Sequence, residues 1–167
     1  MPRYLVPKDP KRKFCIKYHN LLRTHKHHTT RLGYNELLEE EAQLWADNLR
    51  DHNTLEEEPM CPYGENIYCC RAGKEALSDK EVIKFAINSW YREVDNFEPY
   101  FCTEPTITQV MTGKPKGHFT QLVWNQTVTV GIGISRGPDL KVWVVCKYSP
   151  PGNVFGYFRE NVMPQVG

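Results

Sequence analysis

Apolar residues in the first half of the chain recur at the three- and four-residue spacings of amphipathic helices. This pattern predicts one helix over residues 14–26 and another over residues 36–51, with Asn35 as the N-cap of the second. The side chains expected on the inner face of the first helix are Phe14, Tyr18, Leu21, Leu22 and His25. Those expected on the inner face of the second are Leu38, Ala42, Trp45, Ala46 and Leu49.

A third helix is predicted to begin after residue 78. Ser78 and Glu81 have the spacing of a capping box, in which each side chain accepts a hydrogen bond from a backbone N–H at the helix start. The helix that follows is expected to turn four side chains toward the core, namely Val82, Phe85, Ala86 and Trp90.

The second half of the chain changes to a two-residue period. Residues 128–134 alternate in polarity and residues 141–148 are rich in Val, Trp and Tyr, with a turn sequence at 136–139 between them. The two segments therefore predict an antiparallel hairpin, and residues 155–158 are a candidate third strand. Helices followed by strands predict an α+β fold with helices packed on an antiparallel sheet. Residues 95–116 contain three prolines and predict an irregular connection.

Length and composition are those of one folded globular domain, with 167 residues of which 40% are hydrophobic and 25% are charged. Lys and Arg number 21 against 20 Asp and Glu, a net charge of +1. The chain therefore lacks the concentrated basic field that nucleic-acid binding needs. No apolar run approaches the ~20 residues of a membrane-spanning helix. We expect no nucleic-acid partner and no membrane span.

Residues 1–13 are predicted to form a basic tail ahead of a single domain at residues 14–164. The tail lacks the apolar run of a signal peptide, which predicts an intracellular protein. The alternative, an extracellular protein, applies if an export signal was removed from the chain. Reduced thiols are favoured, because a domain of this size does not need disulfides and the cysteines lack Cys-x-x-Cys spacing. The six cysteines are Cys15, Cys61, Cys69, Cys70, Cys102 and Cys146.

Two histidines and two acids are candidates for a polar site. His52 follows the second predicted helix, and His118 opens a short amphipathic segment, where the helix dipole favours the neutral imidazole that ligates metals. Glu65 and Glu93 could complete the cluster. From the residues alone, the simpler interpretation is four unrelated surface or ion-paired groups.

Three motifs occur in order along the chain. They are Gly-Glu-Asn-Ile-Tyr at 64–68, Gly-His-Phe-Thr-Gln-Leu-Val-Trp at 117–124 and Pro-Pro-Gly-Asn at 150–153. With the His-Asn-x-x-Arg sequence at 19–23, they make the chain closely similar to the CAP superfamily of cysteine-rich secretory proteins, antigen 5 and pathogenesis-related 1. The C-terminal region most resembles the signal-less, Golgi-associated plant pathogenesis-related 1 subgroup, and parasite venom allergen-like proteins are also similar. The likeness runs from about residue 15 to residue 164.

The resemblance implies a three-layer α-β-α sandwich with a central antiparallel sheet. It also implies a cleft in which His52 and His118 hold a divalent cation such as zinc, while Glu65 and Glu93 orient the imidazoles or a bound water. Without a metal, the same carboxylates would bond the histidines and hold the cleft together.

The function that the resemblance implies is non-enzymatic. It consists of binding a lipid, a sterol or a membrane surface such as that of the Golgi, together with interaction with a protein partner or a second copy of the chain. A lipid slot would be walled by Phe97, Tyr100, Phe101, Val110 and Met111, although the simpler interpretation is that the aromatic residues pack over the sheet. The alternatives are a metal- or serine-dependent protease and a secreted host-interaction effector.

Proteolysis is disfavoured by the motifs of the chain. The sequence contains neither Gly-x-Ser-x-Gly nor His-Glu-x-x-His. Arg71 stands where some relatives carry a serine proposed as a nucleophile.

Overall fold

The computed structural model describes residues 7–107, 109 and 117–167, and its centre is a four-stranded sheet. In spatial order the strands are β1 (Gly33–Tyr34), β3 (Thr129–Arg136), β4 (Lys141–Ser149) and β2 (Gly64–Arg71). β3 and β4 form the predicted antiparallel hairpin, β4 also pairs antiparallel with β2, and the short β1 pairs parallel with β3. The α+β prediction is confirmed.

The sheet separates two apolar cores, as expected of the predicted three-layer sandwich. Alternate side chains of β4 point to opposite faces. Val144 and Cys146 lie in the larger core, and Trp143 and Val145 lie in the smaller one. The three layers predicted for the fold are therefore present.

The helix α1 (Pro10–Lys26) begins four residues before its predicted start, because the side chain of Asp9 caps it. Residues 10–13, which we had assigned to the tail, form its first turn. The predicted inner face is wrong at Leu21 and His25, which are exposed. The buried residues of the helix are instead Cys15, His19, Asn20 and Arg23. Hydrogen bonds to the rest of the protein therefore orient α1 as much as apolar burial does.

The helix α2 (Glu36–His52) begins at the predicted cap, where the Asn35 side chain accepts two backbone N–H bonds. Four of its predicted inner residues are buried, namely Leu38, Ala42, Ala46 and Leu49, and Trp45 is partly buried. The backbones of α2 and β3 are in close contact. A Cβ added at Gly133 of β3 would come within 2.4 Å of the backbone nitrogen of Gln43 in α2. Only glycine permits so close an approach at this position.

The helix α3 (Asp79–Tyr91) begins with the predicted capping box of Ser78 and Glu81. It packs in the larger core on the opposite side of the sheet from α2. Phe85 was predicted to face inward, but it is 45% exposed because Ile83 and Ile87 occupy the inner positions.

Short helical elements connect the rest of the chain. They are α4 (Val94–Phe97), the 3-10 turn Glu98–Tyr100, α5 (His118–Leu122) and α6 (Phe158–Asn161). None of the helices among the described residues has the length and apolar character needed to cross a membrane.

The strand predicted at residues 155–158 is wrong, because this segment is a turn that leads into α6. Gly156 has a φ of +93°, which interrupts extended backbone. The carboxylate of Glu104 accepts the backbone N–H bonds of Gly156, Phe158 and Arg159, so these donors bond a side chain and not a neighbouring strand.

Candidate functional site

His118 and Glu93 meet at the start of α5. Nδ1 of His118 lies 3.0 Å from one carboxylate oxygen of Glu93, and the other oxygen accepts the His118 backbone N–H at 3.3 Å. The indole of Trp90 lies beside the imidazole, with the ring centroids 6.4 Å apart. The His118 side chain remains 28% exposed. The structure thus brings together these two of the four predicted site residues and leaves the imidazole accessible.

The backbone around His118 is fixed by bonds from two other segments. Gly117, the N-cap of α5, has a φ of +83°, which glycine adopts without strain. The Asn153 side chain donates to the Gly117 carbonyl at 2.8 Å, and the Asn66 side chain donates to the His118 carbonyl at 3.0 Å. Residues from all three sequence motifs therefore converge on His118.

His52 is the last residue of α2, and its side chain is exposed. Its Nδ1 lies 2.9 Å from the carbonyl oxygen of Asn48, one turn earlier in the helix. An imidazole that donates its Nδ1–H to an oxygen carries its lone pair on Nε2. His118 has the same arrangement with the Glu93 carboxylate. Both candidate metal ligands are therefore oriented through Nδ1.

Glu65 bonds a lysine. It lies directly opposite Lys147 in the β2–β4 pair, and its carboxylate bonds the Lys147 ammonium. Glu58 bonds the same ammonium, and Sγ of Cys61 lies 3.1 Å from Nζ. Burial would lower the pKa of Lys147, but these hydrogen bonds outweigh burial and raise it. The lysine is therefore a buried, permanently charged group.

Glu58, Cys61 and Glu65 form a group that could hold a metal ion, since their ligand atoms lie within 4.8 Å of one another. Zinc accepts carboxylate and thiolate ligands of this kind. The ammonium of Lys147, however, already bonds all three side chains. A metal ion would have to displace a buried positive charge, so Lys147 itself serves as the cation of this group.

The aromatic residues of the predicted lipid slot have two different environments. Phe97 is 2% exposed, and its ring packs on those of Tyr100, Phe101, Phe119 and Phe158. Phe101 is partly buried and also lines a groove of about 390 Å³ beside the C-terminal segment, together with Val94, Pro164 and Val166. Val110 and Met111 lie outside the described residues.

The sequence alone did not predict that Lys147, Glu58 and Cys61 belong to a charged cluster. The register of β2 against β4, which places Glu65 opposite Lys147, would have revealed the cluster. The Gly-Glu-Asn-Ile-Tyr motif was recognised, but it was not assigned to a strand, so this register could not be predicted.

Comparisons with known proteins extend over most of the chain. The sequence model of the cysteine-rich secretory protein family, CAP, matches residues 16–148. Human Golgi-associated plant pathogenesis-related protein 1 is 32% identical over 151 residues, which are 89% of this chain and 90% of that protein. Venom allergen 5 of Microctonus hyperodae is 26% identical, and the match covers 75% of this chain but only 53% of that longer protein.

Solved structures share the fold. BmVAL-1 superposes with a TM-score of 0.71 at 22% identity, covering 98% of this chain and 88% of that one. NaASP2, determined with Zn²⁺, also gives a TM-score of 0.71, at 21% identity over 99% of this chain and 90% of that one. At sequence identities of 21% and 22%, this structural similarity establishes the α-β-α fold. Because the family model matches most of the chain and its motifs converge on one histidine, the chain belongs to the CAP family.

Proposed function

We propose that this chain is a non-enzymatic CAP protein that binds a divalent cation such as zinc through Nε2 of His52 and His118. The observation that carries the proposal is that Nδ1 of both imidazoles lies within hydrogen-bond distance of an oxygen acceptor. Histidines that ligate metals typically donate their other ring N–H to a carboxylate or a carbonyl in this way. Each ring is therefore oriented as a zinc-ligating histidine would be.

Each residue has a separate task in this proposal. The Asn48 carbonyl and the Glu93 carboxylate hold the proton on Nδ1, so the lone pair of each ring is on Nε2. The Glu93 carboxylate also fixes the orientation of the His118 ring. A bound zinc ion would supply positive charge and open coordination positions for a ligand of the cleft.

Members of the CAP family are generally non-catalytic. In this chain His118 bonds a carboxylate through Nδ1, and Arg71 replaces the serine that a serine-dependent mechanism would need. We therefore place proteolysis second to binding.

Isothermal titration of the chain with ZnCl₂ at neutral pH tests the metal site. We expect one site, a roughly 10-fold loss of affinity in Glu93→Gln, and larger losses in His52→Ala and His118→Ala. His25→Ala is the control, because His25 is exposed and belongs to a separate histidine-rich stretch on α1. Wild-type affinity in His118→Ala, or a loss of affinity in His25→Ala, would contradict the proposal.

Lipid binding is a second candidate function, supported by the groove that Phe101 lines with Val94 and Val166. Binding of radiolabelled cholesterol should fall at least several-fold in Phe101→Ala. It should be unchanged in Phe85→Ala, which removes an exposed ring from α3. Equal binding by the wild type and by Phe101→Ala would exclude the groove as the lipid site.

We propose that the chain acts at an intracellular membrane surface, with a protein partner or a second copy as a further ligand. The human relative is named Golgi-associated, which supports this location, whereas relatives named venom allergens support the alternative of an exported effector.

A further inference from the structure

Two of the six cysteines lie in one buried polar cluster between α1 and β4. Cys15 and Cys146 are both 0% exposed, lie in the same apolar core, and are close enough that each thiol shifts the pKa of the other. Nδ1 of His19, one turn after Cys15, lies 3.7 Å from the Cys15 sulfur. Nε2 of His19 lies 2.8 Å from the hydroxyl of Tyr148, whose side chain points to the same face of β4 as that of Cys146. The four side chains therefore lie in one buried group.

We propose that Cys15 and Cys146 close into a disulfide that links α1 to the central strand β4 when the chain folds in the presence of a small-molecule disulfide. The two thiols are 131 positions apart in the sequence, yet the fold buries both in the same core. This modification site does not depend on the metal or lipid proposals.

In the folded chain the cluster shifts the pKa values of the two thiols in opposite directions. Burial opposes ionisation of both, and it raises the pKa of Cys146. For Cys15 the hydrogen bonds from Cys146 and His19 outweigh burial, so the pKa of its thiol is lowered. In the folded chain Cys15 is therefore the more readily ionised thiol of the two.

The reaction is two thiol–disulfide exchanges. While α1 is undocked, the thiolate of one of the two cysteines attacks one sulfur of glutathione disulfide, forms a mixed disulfide and releases one glutathione thiolate. When α1 docks, the thiol of the other cysteine loses its proton, and its sulfur attacks the protein sulfur of the mixed disulfide to release the second glutathione. Two protein thiols are oxidised, one glutathione disulfide is reduced to two thiols, and the number of atoms is conserved.

Burial determines when this exchange takes place. Neither sulfur is accessible in the folded protein, so an external disulfide reaches Cys15 only while α1 is undocked from the sheet. Oxidation should therefore be fast during refolding and slow on the native reduced chain.

The remaining cysteines are placed less well for pairing. Cys69 and Cys70 are neighbours in β2, so their side chains point to opposite faces of the sheet. Cys61 contacts Lys147, and Cys102 is exposed.

Peptide mapping of the full chain tests the proposal. The reduced, unfolded protein is refolded in a glutathione redox buffer, alkylated and digested with trypsin. Cleavage after Lys and Arg places Cys15 alone in the peptide 14–17 and Cys146 alone in the peptide 142–147. We expect these two peptides, joined by a disulfide, to be the main cross-linked product.

We also expect the oxidised chain to unfold roughly 10 °C above the reduced one, because the cross-link closes a long loop.

Two variants complete the test. Cys102→Ser should leave both the linked peptide and the gain in unfolding temperature intact, whereas Cys15→Ser should remove both. Recovery of peptides 14–17 and 142–147 in alkylated, unlinked form after refolding would overturn the proposal. A main product that joins either cysteine to Cys61, Cys69, Cys70 or Cys102 would overturn it as well.

Discussion

Replacing Lys147 with methionine is expected to lower the free energy of unfolding by about 3–5 kcal/mol, the usual cost of removing one partner from a buried ion pair. The Lys147 side chain is 0% exposed and bonds the carboxylates of Glu58 and Glu65, of which Glu65 is only 8% exposed. Without the ammonium, two neighbouring carboxylates lose their counter-charge. Chemical denaturation monitored by tryptophan fluorescence measures the loss.

Two further variants separate this effect from the loss of side-chain packing. Lys84→Met removes an exposed lysine from α3 and should change stability by less than about 0.5 kcal/mol. The double variant Lys147→Met/Glu65→Gln should be more stable than Lys147→Met, since it removes one of the unpaired charges. If Lys147→Met were as stable as the wild type, the cluster would not be a buried ion pair.

Replacing Arg23 with methionine is expected to destabilise the protein by a similar amount, about 3–5 kcal/mol. The guanidinium is fully buried and donates to the carbonyl oxygens of Leu122, Trp124, Thr127 and Thr30, at distances of 2.8 to 3.2 Å. Burial lowers the pKa of Arg23 to about 10, so the group remains charged at neutral pH. Its removal leaves several buried carbonyls without a donor.

Arg23→Lys should be more stable than Arg23→Met but less stable than the wild type. A lysine ammonium cannot reproduce the planar guanidinium, which reaches several carbonyls at once. Arg31→Met is the matched control, since Arg31 is exposed and its replacement should be nearly neutral. Thermal unfolding of the four proteins gives the comparison. Full stability of Arg23→Met would show that the carbonyls find other donors.

The starts of two helices and the hairpin, which depend on local signals, were predicted correctly from the sequence. Asn35 caps α2 and the Ser78–Glu81 box opens α3, since a cap requires only residues three or four positions apart. The hairpin of β3 and β4 follows from a turn between two strand-like segments. Strand β2 was missed because its residues, including Glu65 and Cys69, do not alternate between polar and apolar.

Features that depend on distant partners could not be predicted. The inner face of α1 is polar, and Arg23 is buried there only because carbonyls about 100 residues away accept its bonds. The motifs identified His118 and Glu93, and the structure joins them. Glu65 bonds Lys147 across the sheet, a contact that required the register of β2 and β4.

We expect the two imidazoles, and not the acidic group around Lys147, to receive the cation. A crystal of the protein soaked in zinc at neutral pH, with anomalous diffraction recorded at the zinc absorption edge, tests this directly. We predict one strong anomalous peak, from a zinc ion bonded to Nε2 of both His52 and His118 at about 2.0–2.1 Å from each nitrogen. A peak among Glu58, Cys61 and Glu65 with Lys147 displaced, or no peak at the histidines, would contradict it.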